Sequence, residues 1–389
     1  MSDIKQEGID ELPALSYMGG TKAITSTPVV GTPQREYSET FVPGKETLED
    51  GELRVTVLGS GNPWVTSAQS AASILVEVGN LEQDLLIFDL GSGSLANFAS
   101  LNLPVNKLDK VFLTHLHADH MPELITLLGS YGKAGRVGPL NIWGPSGSEP
   151  RFGTKYFVGH IREACNWDLE STRGFLSDQS AQINVTEFNF RETQVVYEAN
   201  GVKISSFPVI HALEGPVGYR IDYAGLTFVF SGDTRPCWPL IRACEDGVDL
   251  LIHECFPPPA LMAEQSGMTL EHTTTIINTA HTTPVTAGKV FSLVKPRMGA
   301  LWHTLLFPPV IGATFADLRK VYDGPIVQTQ DLTTFNITKD VIVARQAQVV
   351  PQQVAIAGEP TIKPTIGDRP ETPTWWKEEL LPVDDVLGL

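Results

Sequence analysis

From Leu53 onward the chain is a series of short apolar, β-rich runs that end in glycine turns. "LRVTVLGSG", "AASILVEVG", "DLLIFDLGSG" and "LDKVFLTH" follow one another and predict four strands. "MPELITLLGSYG", Met121–Gly132, has the three-to-four spacing of a short helix, and "PLNIWGPSG" returns to strand and turn. Residues 151–185 carry no strand signal until their end and read as a helical insertion with aromatics. Strand-bearing stretches resume with "INVTEFNF", "TQVVYEANGVKISSFPVIHA", "VGYRIDYAGLTFVFSGDT", "VDLLIHECF", "RMGALWHT" and "PIVQTQDLTTFNIT". Among them "TPVTAGKVFSLVK", Thr283–Lys295, and "TFADLRKVY", Thr314–Tyr322, read as helices. Strands then helix, twice over, predicts an α/β protein whose helices cover the outer faces of two packed sheets.

The two ends differ from this body. Residues 1–50 are polar and turn-rich and read as an N-terminal arm; residues 51–345 form the body; residues 346–389, rich in Pro, Thr and Glu, form a C-terminal extension. Trp375 and Trp376 in "TWWKEELLP" are expected to anchor that extension on the body. A 50-residue arm suggests subunit contacts, and a homodimer is the default expectation.

Composition narrows the class. The chain has 389 residues, 42% hydrophobic and 19% charged, enough for one large core or two domains of a soluble enzyme. The net charge of -17, with no Lys/Arg block to offset it, argues against nucleic acid as a partner. The four cysteines make no CxxC pair, so reduced core thiols are expected rather than a disulfide scaffold or a cysteine zinc knuckle. No basic segment followed by an apolar run opens the sequence, and no apolar stretch reaches the ~20 residues of a membrane span. A cytoplasmic protein is expected, with a periplasmic or secreted mature chain as the alternative.

The chemistry concentrates at the strand ends. "THLHADH" puts His115, His117, Asp119 and His120 where a strand gives way to a helix. Neutral imidazoles ligate zinc and similar metals well, and four side chains pointing different ways suit two neighbouring ions better than one. A helix cap would account for Asp119 but not for three histidines. Further candidates lie at other strand ends: His211 in "FPVIHA", Asp233 in "FVFSGDT" and His303 in "GALWHT". A carboxylate at Asp233 could bridge two ions; the plainer reading is a turn aspartate. The "GSGNP" loop, Gly59–Pro63, offers backbone donors to an anion or is simply a tight turn. His160, in the insertion, could touch substrate.

These residues resemble the HxHxDH signature of the metallo-β-lactamase-fold superfamily, and within it the ribonuclease Z-like branch with its arylsulfatase-like members. The resemblance covers about residues 53–330 and implies an αββα sandwich of two mixed β-sheets flanked by helices. It implies that His115, His117 and His211 hold one metal, that Asp119, His120 and His303 hold a second, and that Asp233 bridges them. Two divalent ions are implied, zinc first, with manganese or iron as alternatives. The branch also pairs an acidic residue with a histidine: Glu254 in "LIHECF" and His281 in "AHTTPVTAG" match that pair and would assist proton transfer to the leaving group. The plainer role for His281 is to cap the helix starting near Thr283. Asp89 resembles the strand-end aspartate that orients a metal-binding histidine.

The catalytic set on this reading is Asp233, Glu254 and His281, and the reaction is metal-dependent hydrolysis. Processing members of the branch carry a basic, Gly-rich clamp for tRNA, and nothing here matches it. A small-molecule ester is therefore the expected substrate, a sulfate ester or phosphodiester first. Two alternatives stand beside it: a lactonase or β-lactamase-like hydrolase of a cyclic acyl substrate, and a non-catalytic metal-binding regulatory protein. Residues 151–185 are expected to set substrate choice.

Overall fold

A computed structural model describes residues 24–25, 36–355 and 369–381. Its strands run in chain order as β1 (Ile24–Thr25), β2 (Leu53–Gly59), β3 (Ser73–Val78), β4 (Leu85–Phe88), β5 (Lys110–Phe112), β6 (Leu140–Pro145) and β7 (Ile183–Phe188). They continue as β8 (Gln194–Ala199), β9 (Val202–Pro208), β10 (Val217–Tyr223), β11 (Leu226–Phe230), β12 (Leu250–Glu254), β13 (Met298–Trp302), β14 (Ile326–Gln328), β15 (Thr333–Ile337) and β16 (Ile342–Gln346). The helices are α1 (Ser94–Ser100), α2 (Leu124–Lys133), α3 (Thr154–Ala164), α4 (Asn166–Thr172), α5 (Trp238–Ala243), α6 (Pro259–Ser266), α7 (Leu270–Ala280), α8 (Pro284–Val294), α9 (Pro308–Leu318) and α10 (Thr374–Glu379).

One sheet has the order β1-β16-β15-β2-β3-β4-β5-β6-β7, the other β14-β13-β12-β11-β10-β9-β8. Both are mixed: β4 to β7 run parallel in the first and β11 to β14 in the second, with antiparallel pairs elsewhere. Period-two alternation sorts the central strands into two apolar faces. Val55, Ile74, Val76 and Phe88 meet Phe228, Phe230, Ile252 and Trp302 in the core between the sheets. Leu75 and Ile87 face the other way, beneath Leu95 and Phe98 of α1 and Leu127 of α2. On the second sheet Val229, Leu251 and Leu301 lie under Leu240 of α5 and Phe291 of α8. This is the αββα sandwich expected from the sequence.

Three details differ from the sequence reading. "PIVQTQDLTTFNIT" is not one strand: β14 belongs to one sheet and β15 to the other, and the chain turns between them at Leu332, whose φ is 65°. The helix expected at 314–322 is α9, which starts at Pro308, where a fixed φ pre-forms the first turn. Trp375 and Trp376 are 61% and 52% exposed and pack edge-on against each other instead of anchoring on the body. Residues 36–50 pack on the sheet edge. Phe41 N–H donates to the Gln346 carbonyl (3.0 Å), and Arg345 pairs with Glu46 through two 2.8 Å contacts. The rest of the expected arm, apart from β1, lies outside the described residues, as do residues 356–368 and 382–389 of the C-terminal extension. No helix among the described residues is long and apolar enough to cross a membrane.

Candidate active site

The parallel arrangement brings several strand ends to one edge of the sandwich. His115 and His117 follow β5, His211 follows β9, Asp233 follows β11, Glu254 ends β12 and His303 follows β13. Asp119 and His120 sit where the chain turns toward α2. All the ligand candidates named from the sequence meet here, in two groups: His115, His117, His211 and Asp233 in one, Asp119, His120 and His303 in the other.

Asp233 lies between the groups. Its Oδ2 is 4.0 Å from His115 Nε2 and 3.7 Å from His211 Nε2. Its Oδ1 is 3.5 Å from both His120 Nε2 and His303 Nδ1. Asp119 Oδ2 is 3.1 Å from His303 Nε2 and 3.5 Å from His120 Nε2. His117 Nδ1 is 3.0 Å from the Nε2 atoms of both His115 and His211.

Hydrogen bonds fix which nitrogens point inward. His120 Nδ1 donates to Asp89 Oδ2 (2.8 Å), and His211 Nδ1 donates to the Ala280 carbonyl (2.7 Å). His115 Nδ1 lies 3.0 Å from Thr114 Oγ1, whose own proton goes to Asp89 Oδ2 (2.7 Å). Each of these three histidines therefore turns its Nε2 toward the cluster, which is how outer partners prepare imidazoles for a metal. Burial holds His115 well below the ordinary histidine value, lowers His117 and brings His211 to about 4, so these rings stay neutral. Burial also pulls on His120, but Asp233, Asp119 and Asp89 outweigh it and push it well upward.

The residues fit divalent cations on a direct observation. His120 Nε2, Asp233 Oδ1 and His303 Nδ1 are buried without any hydrogen-bond partner. Buried polar atoms are nearly always satisfied, and three orphans converging at one point mark a place for a cation. Backbone strain gathers here too: His303 and Asp89 hold φ of 62° and 60°, a region costly for residues with a Cβ.

Beside the cluster lies the acid–histidine pair. Glu254 Oε1 accepts the Thr234 N–H (2.6 Å) and is 3.0 Å from His281 Nδ1; Oε2 accepts the Thr282 N–H (3.3 Å). Burial, reinforced by Asp233, pushes Glu254 well above the carboxylate range, while burial lowers His281. The His281 ring stacks on Phe256 with centroids 3.6 Å apart. It does not cap the following helix: Thr283 does that, in a capping box with Thr286. His253 faces Phe291, on the opposite face of β12. Two of the "GSGNP" backbone donors are already used, Ser60 N–H by Asp331 Oδ1 (3.0 Å) and Gly61 N–H by the Ser70 carbonyl (2.8 Å). Sequence reasoning missed Thr114, Phe256 and the Ala280 carbonyl, none of which carries a signal of its own.

The fold and this site define the class. Residues 87–303, more than half of the chain, match the family profile described as the beta-lactamase superfamily domain, and the chain belongs to that superfamily. Its curated relatives are more specific. The ribonuclease Z of Methanosarcina mazei is 27% identical over 328 residues, covering 73% of this chain and 98% of that protein. The ribonuclease Z of Mycobacterium avium is 30% identical over 209 residues, covering 52% of this chain and 69% of that protein. Among solved structures, the metallo-β-lactamase fold protein YhfI of Bacillus subtilis is 20% identical with a TM-score of 0.55, covering 74% of this chain and all of that one. The human short-form tRNase Z is 18% identical with a TM-score of 0.52, covering 72% and 98%. These two likenesses show the fold. The protein is a metal-dependent hydrolase, which removes the alternative of an idle regulatory metal site.

The relatives also correct two expectations. A small-molecule ester or cyclic acyl compound does not stand as the substrate class, and nucleic acid does not stand as an unexpected partner, because the relatives are ribonucleases. The charge argument failed for a physical reason. A net charge of -17 is summed over the whole surface. Exposed charges are screened within about 8 Å at physiological ionic strength. The sum therefore says little about the field at one cleft.

Proposed function

We propose that this protein hydrolyses a phosphodiester bond in RNA, as a ribonuclease of the ribonuclease Z type. The observation that carries the reading is the alignment with ribonuclease Z along nearly the whole length of a relative, over a chain in which the histidine–carboxylate cluster and the Glu254–His281 pair adjoin.

In this reading His115, His117 and His211 would hold one divalent cation, Asp119, His120 and His303 would hold another, and Asp233, lying between the two groups, would serve both. The donor set is all nitrogen and oxygen, which suits zinc and admits manganese or iron. When bound, two such cations supply positive charge for the phosphoryl oxygens and acidify nearby water. The protein's own groups do the rest. Asp89, through His120 and Thr114, keeps the imidazoles facing inward. Glu254 fixes the proton on His281 Nδ1, and Phe256 fixes the ring plane. On taking up a second proton at its other ring nitrogen, His281 would give that proton to the departing ribose oxygen, since an alkoxide leaves poorly without one.

The test uses metal-loaded protein and an RNA hairpin with an unpaired 3′ extension. The expected result is cutting at a defined phosphodiester, abolished in the His115→Ala variant. Protein with two equivalents of transition metal that leaves this RNA intact overturns the proposal.

A further inference from the structure

Next to the cluster opens a cleft of about 370 Å³ that His115, His117 and His211 help to line. The start of the insertion lines the same cleft, through Phe152, Tyr156, Phe157 and His160. Phe152 and Tyr156 are 37% and 48% exposed although they are large rings. The helix explains their alignment: Tyr156 and His160 are one turn apart on α3, and their rings lie 4.1 Å apart at 35°. His160 Nδ1 donates to the Tyr156 carbonyl (2.9 Å). Leu213, 56% exposed, adds apolar surface just beyond His211.

Charge is sparse in this cleft. Arg151 is the one Lys or Arg side chain among the described residues lining it, and its Nε pairs with Glu149 at 2.9 Å. A wall for gripping phosphates would need several such groups. Exposed rings beside a hydrolytic centre instead suit a flat, apolar-faced ligand, and every nucleobase has such a face.

We infer that Phe152, Tyr156 and His160 form a stacking platform for an unpaired nucleobase next to the scissile phosphate, so that RNA is held here by stacking more than by phosphate neutralisation. This inference rests on the RNA reading above and adds the group that is recognised. The cleft takes one base with its ribose, and continuity with His117 and His211 sets that nucleotide beside the phosphate to be cut. Double-stranded RNA keeps its bases stacked inside the helix, so the platform selects single-stranded nucleotides at the cleavage point.

The experiment compares metal-loaded wild type, Tyr156→Ala and Tyr156→Phe on two RNA hairpins with unpaired 3′ extensions. One is intact; the other carries abasic ribose at the nucleotides flanking the cut. Base–aromatic stacking predicts that wild type prefers the intact RNA by ~5–100-fold in kcat/KM. Tyr156→Ala should bring that ratio toward one, and Tyr156→Phe, which keeps the ring, should restore it. A wild-type ratio near one, or a Tyr156→Ala loss equal on both RNAs, overturns the platform and leaves the ribonuclease reading intact. A wild-type enzyme that cuts neither RNA overturns both.

Discussion

Asp233 presents one carboxylate oxygen to each group of histidines, and the placement of those histidines depends on residues that touch no reacting atom. Asp89 is the chief of these. It accepts the Thr114 N–H at 2.8 Å, the Thr114 hydroxyl and His120 Nδ1. Asp89→Asn keeps the shape but cannot accept all three bonds. Metal affinity should fall ~10–100-fold, the usual cost of losing an outer partner. Competition with a coloured chelator measures it, and an unchanged affinity would remove Asp89 from this role. His281 has a sharper signature. If it protonates the departing oxygen, His281→Ala should slow RNA cleavage by ~10²–10⁴-fold, while a nucleotide nitrophenyl ester, whose leaving group needs no proton, should suffer much less. Equal losses on both substrates with intact metal content would assign His281 a structural part. Much of this site was legible in the sequence, because ligands must sit at strand ends and imidazoles cluster only for a reason. The layer behind it was not: Thr114, Phe256 and the Ala280 carbonyl have ordinary identities and acquire a role only from what the fold sets beside them.

Whole elements show the same division. The central strands were legible because both their faces are buried, as in β3, where Ile74 and Val76 face one core and Leu75 another. Helices α6 and α7 were not. α7, "LEHTTTIINTA", is rich in β-branched residues and threonine, and buries only Thr273, Ile277 and Ala280, too thin a stripe for a periodic signal. The β14–β15 crossing was hidden because an apolar run shows no sign of which sheet it joins. One loop interaction reaches the site directly. Gln69 Nε2 donates to the Thr304 carbonyl (2.9 Å), and its Oε1 accepts the Leu306 N–H (3.0 Å). It thus grips the backbone just after His303, the residue held at positive φ. Gln69→Ala should destabilise the fold by about 1–3 kcal/mol through unpaired backbone groups. It should also weaken one of two metal sites, that of His303, by ~10–100-fold. A two-site chelator titration distinguishes this from general loosening, which would weaken both sites alike, and two unchanged affinities would show that Gln69 leaves His303 alone.

For the molecule as a whole, the proposed cations supply what the fold lacks. They would bind the folded chain and not the unfolded one, and each would add about 2.7 kcal/mol when free metal is a hundredfold above Kd. Stripping both should lower Tm by roughly 5–10 °C. The stripped protein should also respond to pH in a way the loaded one does not. His120 has its folded pKa raised by Asp233, Asp119 and Asp89 against the pull of burial. Its stabilising charge is fully present below the unfolded histidine value of about 6.5 and is lost as pH rises through the higher folded value. His115, His117 and His211 have folded values lowered by burial, His211 to about 4, so they act in the opposite sense. They cost stability as pH falls below about 6.5, where the unfolded chain takes up protons that the folded one refuses. Stripped protein should therefore be most stable near neutrality and lose Tm on both sides. In loaded protein a cation on His120 would replace the proton, so the part of the alkaline loss that comes from His120 should vanish, leaving that of Glu254. The measurement is Tm against pH from 5 to 10 for both forms. Alkaline limbs that coincide would mean that no cation sits on His120, and the second metal would have to be placed elsewhere.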